Sequence, residues 1–441
     1  LTGVIDTVVK HTYGTWRAQR TWQPIEFVEG EGCYLVDSKG KKYLDFSSQL
    51  ICVNLGYGNK VVLEAMAEQA RRLPYIVPSH ASTVRAELAQ LLLEVLPKGL
   101  EKFFFSPSGT EANEAAIKIA RLYTGKHKVI SRYRSYHGCT GASMAATGEF
   151  RRWFAEPVGK VDGVVFGPEV DCYRCPFKLE YPDCEIVCAD YIGHMIREEG
   201  NVAAVILEPV VGTNGVLVPP DRYLPMLREI TEANNVLLIA DEVMSGWGRV
   251  GEWFAVERWG IRPDILTTAK GITSAYFPLG LTATTRDIAN HFEENFFAHG
   301  HTYEAHPIGL AAAVACIKEY KRMGLVYRAR RMGEYLGRQL AGLKDRHPSV
   351  GDVRGMGLFW AVDLARDRRT KEPFNSPQEK ISGKPILVEQ MARAALEEGL
   401  MIFAWINHFV VAPPLIISER EVDYGIGVMD KVLSIADKQL G

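Results

Sequence analysis

Seven short apolar runs, at 102–106, 128–131, 163–166, 203–207, 236–240, 264–267 and 279–284, most constrain what this chain can fold into. Several are apolar on both faces. A strand of that kind belongs in a parallel sheet with helices covering both sides. Between them lie Gly/Ser/Thr turns and stretches with apolar residues at helical spacing, such as 111–123. The expected architecture is α/β: a large domain with a mostly parallel seven-stranded sheet covered by helices.

The flanks read differently. Residues 32–47 alternate apolar and polar positions around a turn at 37–40, which predicts a β-hairpin. Helical spacing follows at 61–72 and 84–96, the second stretch stopping at Pro97, and a long helix is expected from about Pro307. Past residue 330 come a charged helix (327–346), a glycine-broken strand, a polar loop (365–384), another helix and two strand-like pieces, LMIFAW and FVVAPP. We therefore expect a smaller α+β domain built from both chain ends. In numbers, 1–65 joins the small domain, 66–329 forms the large one and 330–441 completes the small one.

Composition narrows the function classes. Basic and acidic residues number 51 and 53, a formal charge of −2 with no block of one sign. That leaves no electrostatic footprint for nucleic acid or an anionic membrane. No run of eighteen apolar residues and no signal-type leader is present, so a cytoplasmic protein is expected. Four of the eight cysteines, Cys172, Cys175, Cys184 and Cys188, form C-x2-C-x8-C-x3-C. Thiolates so spaced can close a tetrahedral zinc site, and reduced loop thiols are the plain alternative. No metal ligand is assigned.

The chemistry concentrates at the ends of the apolar runs. VLLIADEVMSGWGRVG places Asp241 at the end of a buried run, and DILTTAKGIT sets Lys270 among small residues. A carboxylate so placed is costly unless something pairs with it. SPSGTEANEAAIKIAR turns a strand directly into a helix start, with Ser108 or Thr110 as cap and Gly109 between them, a phosphate seat. SYHG offers Tyr136 to cover a planar ring and His137 beside it; VILEP ends a strand at Glu208. Taken singly, each has a bland reading: a capped turn, a half-buried tyrosine, an ion pair.

Together they match what pyridoxal phosphate needs. Its aldehyde takes a lysine as a Schiff base, its ring nitrogen a carboxylate, its phosphate a helix start, its face an aromatic. The match of Gly246, Gly248 and Gly251 to G-x-G-x-x-G is a decoy. It lies deep in the chain, several residues past its strand, not in a first βα turn.

SGTEANEAAIKIAR, SYHG, ILEPV, IADEVMSGWGRVG, TTAKGI, HTYEAHP, GMGLFW and APPL occur in the order seen in the class III aminotransferases, and the chain resembles that family along nearly its whole length. The resemblance implies a fold-type I pyridoxal-phosphate enzyme with two half-reactions. It implies Lys270 as the residue joined to the cofactor, which also carries the proton, and Asp241 as partner of the ring nitrogen. Val243 would pack behind the ring and Tyr136 stack on it. Gly109 and Thr110 would form the phosphate cup, and Glu208 would hold the neighbourhood of ring and aspartate. Thr302 is similar to a threonine that reaches the phosphate of the other subunit, which implies a homodimer with shared active sites, possibly paired into tetramers.

Departures from the family pattern bear on substrate. Cys139 follows YHG where relatives acting on γ-aminobutyrate or ornithine carry arginine, and MIFAWINHFVVAPPL has no arginine before P-P-L. A bidentate arginine–carboxylate contact has no equivalent in Trp405, Asn407 or His408. Pyruvate is therefore expected over 2-oxoglutarate. DFSSQLICVNLG, YRCPF and LMIFAWINHF resemble the branch that includes taurine–pyruvate and other ω-amino-acid aminotransferases. The donor expected is taurine, β-alanine or a similar ω-amine. Ile51, Trp405, Arg151 and Arg152 are the candidates for the substrate side. The motif TYEAHP also departs from the commoner T-x-x-G-H-P. A racemase, epimerase or aminomutase on the same fold is the alternative chemistry, and a non-catalytic cofactor-binding protein lies further off.

Overall fold

The computed structural model describes residues 3–440. In chain order its strands are β1 (Phe27–Glu31), β2 (Tyr34–Asp37), β3 (Lys42–Asp45), β4 (Leu100–Ser106), β5 (Lys128–Arg132), β6 (Val164–Gly167), β7 (Val202–Leu207), β8 (Leu237–Asp241), β9 (Ile265–Thr268), β10 (Gly280–Thr285), β11 (Val350–Met356), β12 (Phe359–Leu364), β13 (Leu400–Met401), β14 (Phe403–Trp405) and β15 (His408–Val411). All seven apolar runs are strands of one sheet, in the order β4-β10-β9-β8-β7-β5-β6. Only β10 runs antiparallel to its neighbours. The cause is local: β9 and β10 are joined by a loop with no crossover helix, so the chain must turn back.

Every residue of β7, β9 and β10 is buried. Alternate residues go to opposite sides: Ala204, Ile206 and Ile239 pack with Ala116, Ile117 and Ile119 of the helix Gly109–Thr124, while Val205, Leu207 and Leu238 join the larger core on the other face. That two-sided burial is why these runs show no polar alternation.

The ends of the chain do meet. β13 pairs in parallel with β3, closing a four-stranded sheet β1-β2-β3-β13. The expected hairpin is β2–β3, and β1 is an added strand on its far side. A second four-stranded sheet, β11-β12-β15-β14, was not separable in sequence from the first. So the smaller α+β unit holds two sheets.

This second sheet is tied to the large one by buried charge. Arg354 bonds Asp352 and Asp363 at 2.8 Å each, and its Nε donates to the Gly215 carbonyl at 2.7 Å. Arg174 reaches Asp363 as well. These guanidinium groups hold the Asp363 carboxyl well below the usual carboxylate range, against the opposing effect of its burial. His408, opposite Asp363 across β12–β15, contacts the Thr213 carbonyl through Nε2 at 2.9 Å. Burial pushes its pKa down to about 4, with Asp363 working in the other direction.

Two predictions follow from the packing. Ile206→Ala, which opens a hole between sheet and helix, should lower unfolding stability by about 2–5 kcal/mol; urea denaturation measures it, and an unchanged midpoint would contradict the packing. His408 is neutral in the folded chain and its folded pKa lies below the ordinary histidine value. The unfolded chain therefore binds the extra proton first, and stability falls as pH drops from about 6.5 toward 4. The melting-temperature difference between neutral and mildly acidic buffer should accordingly shrink in His408→Gln.

Candidate active site

The turn geometry places the sequence-singled residues along one edge of the large sheet. β7, β8 and β9 run the same way, so Glu208 after β7, Asp241 ending β8 and Lys270 after β9 leave at their carboxyl ends. Ser106 pairs with Gly280, the first residue of β10, so the 107–109 turn lies at the same edge. The edge outside the carboxyl ends is where open α/β sheets bind ligands.

Asp241 is 3% exposed and makes three hydrogen-bond contacts. Its Oδ2 accepts from Asn113 Nδ2 at 2.7 Å and lies 2.7 Å from His137 Nδ1; its Oδ1 accepts the Val243 N–H at 3.0 Å. A carboxylate has about four acceptor positions. With three taken, one remains for the N–H of a protonated ring. Asn113 is itself fixed by Thr267 Oγ1, which donates to its carbonyl at 2.6 Å.

Glu208 joins two loops. Its Oε1 accepts the Tyr136 N–H at 3.0 Å and its Oε2 the Gly212 N–H at 2.8 Å. Burial raises its pKa, and the nearby imidazole of His137 and the two N–H groups work against that rise.

Lys270 opens a short turn with φ at +48°. A non-glycine residue in the left-handed region carries backbone strain, and such strain collects at functional sites. The residue stays partly open to solvent, as one that must meet a ligand requires, yet desolvation dominates its amine. It lowers the pKa, while Cys52, Asp241 and Glu208 pull it back up and Arg151 lowers it further.

The phosphate seat also fits. Ser108 caps the helix Gly109–Thr124 by accepting the Glu111 N–H at 3.2 Å. The Gly109 and Thr110 N–H groups in that first turn have no intrahelical partner. A Cβ on Gly109 would stand 2.9 Å from both Val243 methyls, so only glycine allows that packing. Cys139 Sγ is 3.8 Å from Thr110 Oγ1 at the same rim. These residues fit pyridoxal phosphate: an anion seat, one free acceptor position on a buried carboxylate, and a desolvated amine.

Tyr136 is covered by a group that sequence reasoning only half found. Arg151 lies 3.8 Å over the Tyr136 ring, 4.7 Å from Trp405 and 5.2 Å from Trp16. Its Nε pairs with Glu149, and its buried Nη2 has no partner. Trp16, which meets Tyr136 edge-on at 6.5 Å, was missed because it lies far up the chain in an irregular segment.

Other candidates are placed elsewhere. Arg152 parts from Arg151 and stacks on Phe166 at 4.6 Å, with its Nη1 on Glu156; adjacent residues in a short 3-10 helix point apart. Ile51 is buried in the main core, and it is the next residue, Cys52, that comes within electrostatic range of Lys270. Thr302 is exposed; the Tyr75 hydroxyl donates to its carbonyl, and it shares no hydrogen bond with the Asp241 cluster. Cys172, Cys175, Cys184 and Cys188 line one small cavity as free thiols. Burial, reinforced by neighbouring charge, pushes Cys172 up to about 11 and Cys188 to about 12. Among the described residues no group of three His, Cys, Asp or Glu side chains is placed to hold a metal ion. No described helix is long and apolar enough to cross a membrane.

Comparison with known proteins agrees with this geometry. The family model for aminotransferase class III matches residues 17–433. A leucine/methionine racemase of Thermococcus litoralis is 34% identical, covering 96% of this chain and 93% of its own. The taurine–pyruvate aminotransferase of Bilophila wadsworthia is 32% identical over 98% of this chain and 97% of the relative. A solved taurine:2-oxoglutarate aminotransferase from Bifidobacterium kashiwanohense, in complex with PLP and glutamate, superposes with a TM-score of 0.95 at 31% identity, covering 99% of this chain and 98% of that one. With strand order, turn chemistry and near full-length similarity in agreement, the chain belongs to the class III aminotransferase family.

Proposed function

We propose that this chain is a pyridoxal-phosphate aminotransferase that moves the terminal amino group of an ω-amino acid or aminosulfonate, such as β-alanine or taurine, to pyruvate. The observation that carries the reading is Arg151. A guanidinium held among three aromatic rings beside Lys270, with a buried Nη2 lacking a partner, suits the acid end of such a donor. An uncompensated buried N–H of this kind is costly unless a ligand completes it.

Bound pyridoxal phosphate supplies an electron sink that stabilises negative charge on the carbon bearing the amine. The residues do the rest. Asp241 keeps its carboxylate at the ring nitrogen, steadied by Asn113 and His137. The Gly109 turn seats the phosphate and Tyr136 covers the ring. Lys270 Nζ, its pKa lowered by burial, is able to accept the donor's carbon-bound proton and return it. Two half-reactions sharing one site give ping-pong kinetics.

The acceptor is read from what the 403–411 wall contains. It offers Trp405, Asn407 and His408, and both polar residues are already committed, Asn407 to Asp363 and His408 to Thr213. No second guanidinium is present there for the far carboxylate of 2-oxoglutarate. The solved relative named above is a taurine:2-oxoglutarate aminotransferase, and turnover with pyruvate against 2-oxoglutarate as sole acceptor distinguishes the two. A racemase is the second reading, favoured by the Thermococcus relative. It needs the same proton transfer at Lys270 but leaves the amino group on its own carbon.

The shared-site dimer is part of the proposal. Thr302 lies in an exposed stretch with Phe296 at 88% and Tyr303 at 64% exposure, a large apolar surface for a lone chain. A second copy would cover it, in the cytoplasm.

Lys270→Ala should lose the visible absorbance of the loaded cofactor and lower turnover by at least about 10³-fold; retained activity with normal absorbance would remove Lys270 from its role. Given β-alanine or taurine without an oxo acid, the wild-type enzyme should accumulate the amino form of the cofactor. A racemase would leave the cofactor in its aldehyde form, return these achiral donors unchanged, and instead racemise a chiral amino acid such as leucine. Arg151→Ala should lower the preference for β-alanine over propylamine, as a ratio of kcat/KM, by about 10–100-fold, the usual worth of a hydrogen bond to a charged group. An unaltered ratio would remove Arg151 as the receptor of the acid end.

A further inference from the structure

Trp405 completes the cage around Arg151, and its own placement rests on one residue of the large domain. Its ring stacks on Phe150 at 5.5 Å and 22° and on Phe403 at 5.9 Å and 17°. Stacking leaves a ring free to slide in its plane. The indole N–H stops that by donating to Asn214 Oδ1 at 3.1 Å. The Asn214 amide is held the other way round by its nitrogen, which donates to the Arg134 carbonyl at 2.7 Å. Because one side of the amide only donates and the other only accepts, these two partners fix its orientation.

The turn carrying Asn214 is held as well. Arg134 Nη2 donates back to the Asn214 carbonyl at 2.7 Å, His408 contacts the Thr213 carbonyl, and Arg354 Nε donates to the Gly215 carbonyl. Gly215 has φ at +119°, and a Cβ there would lie 2.7 Å from Arg354 Nη2. Two residues upstream of Asn214, the Gly212 N–H bonds Glu208, the same carboxylate that holds the Tyr136 N–H. Tyr136 and Trp405, two of the rings around Arg151, are therefore referenced to one turn.

We propose that Asn214 is a positioning residue for donor selectivity: by orienting the Trp405 indole, it keeps the Arg151 guanidinium aimed at the acid group of the donor. This rests on the reading of Arg151 given above. The Asn214 side chain bonds the Arg134 carbonyl and the Trp405 indole, not Lys270 or Asp241, so its effect falls on discrimination between donors and not on proton transfer.

The test compares kcat/KM for β-alanine and for propylamine in the holoenzyme carrying Asn214→Leu, Trp405→Phe, the two together, and Arg151→Ala. Cofactor absorbance is recorded for each as a check on the loaded site. Asn214→Leu should lower the β-alanine to propylamine ratio by about tenfold, chiefly through KM for β-alanine, the scale of one lost orienting hydrogen bond. Trp405→Phe, which keeps a ring and removes only the N–H end, should lower it comparably. The double variant should fall no further, because the two residues act through one bond. Equal losses for both donors, or losses that add, would show a merely structural role and overturn the proposal. If Asn214→Leu fails to load cofactor, Trp405→Phe decides: an unchanged ratio there overturns it too. A ratio lowered in Arg151→Ala but not in the Asn214 and Trp405 variants overturns only this inference. A ratio unaltered in Arg151→Ala removes the reading of Arg151 and this inference with it.

Discussion

The site depends on the buried carboxylate of Asp241 being compensated by its neighbours. Isolated in a strand end of an apolar sheet it would be costly, and the protein meets that cost with three short contacts from three different elements. Asn113 comes from the helix that starts at Gly109, and His137 from the loop that carries Tyr136. The helix start at 108–110, the loop of Tyr136 and the end of β8 are thus one hydrogen-bonded unit. Moving any of them means breaking a contact to Asp241.

The same logic explains why β10 runs against its neighbours. A crossover helix after β9 would carry the chain away from the sheet edge. The direct return from β9 to β10 keeps residues 269–279 there, and Lys270 with them. The strain at Lys270 is tolerated because surrounding bonds fix the turn. Asn54 reaches across to the Trp247 carbonyl, Trp247 donates to Thr268, and the Tyr320 hydroxyl donates to the Gly271 carbonyl. The rejected dinucleotide fingerprint has its explanation here. Trp247 packs the Lys270 turn, and Arg249 is buried, bonding the Leu358 and Pro413 carbonyls and Asn54 Oδ1. The glycines around them allow close packing of chain segments.

Local chemistry made the large sheet legible. Runs apolar on both faces, capped turns and charged residues at strand ends all act within a few neighbours in sequence. What stayed hidden acts across the fold. Asn113 reads as a helix residue until the structure sets it against Asp241, and Trp16 and Cys52 belong to irregular segments with no periodicity to place them. Arg151 and Arg152 are indistinguishable as neighbours in sequence. Only the direction of a single 3-10 turn sends one to the site and the other to Phe166.

That difference separates two kinds of control. Chemistry is assembled on the large sheet by contacts that converge on Asp241, so it changes little without loss of the whole unit. In the proposed function selectivity is assembled from Trp16, Arg151 and Trp405, which come from the N-terminal segment, an excursion after β5, and β14. These meet the large sheet through side chains and through the turn at 212–215. On that reading, substitutions at a wall held by a few hydrogen bonds redirect the proposed anion receptor without disturbing a carboxylate held by three.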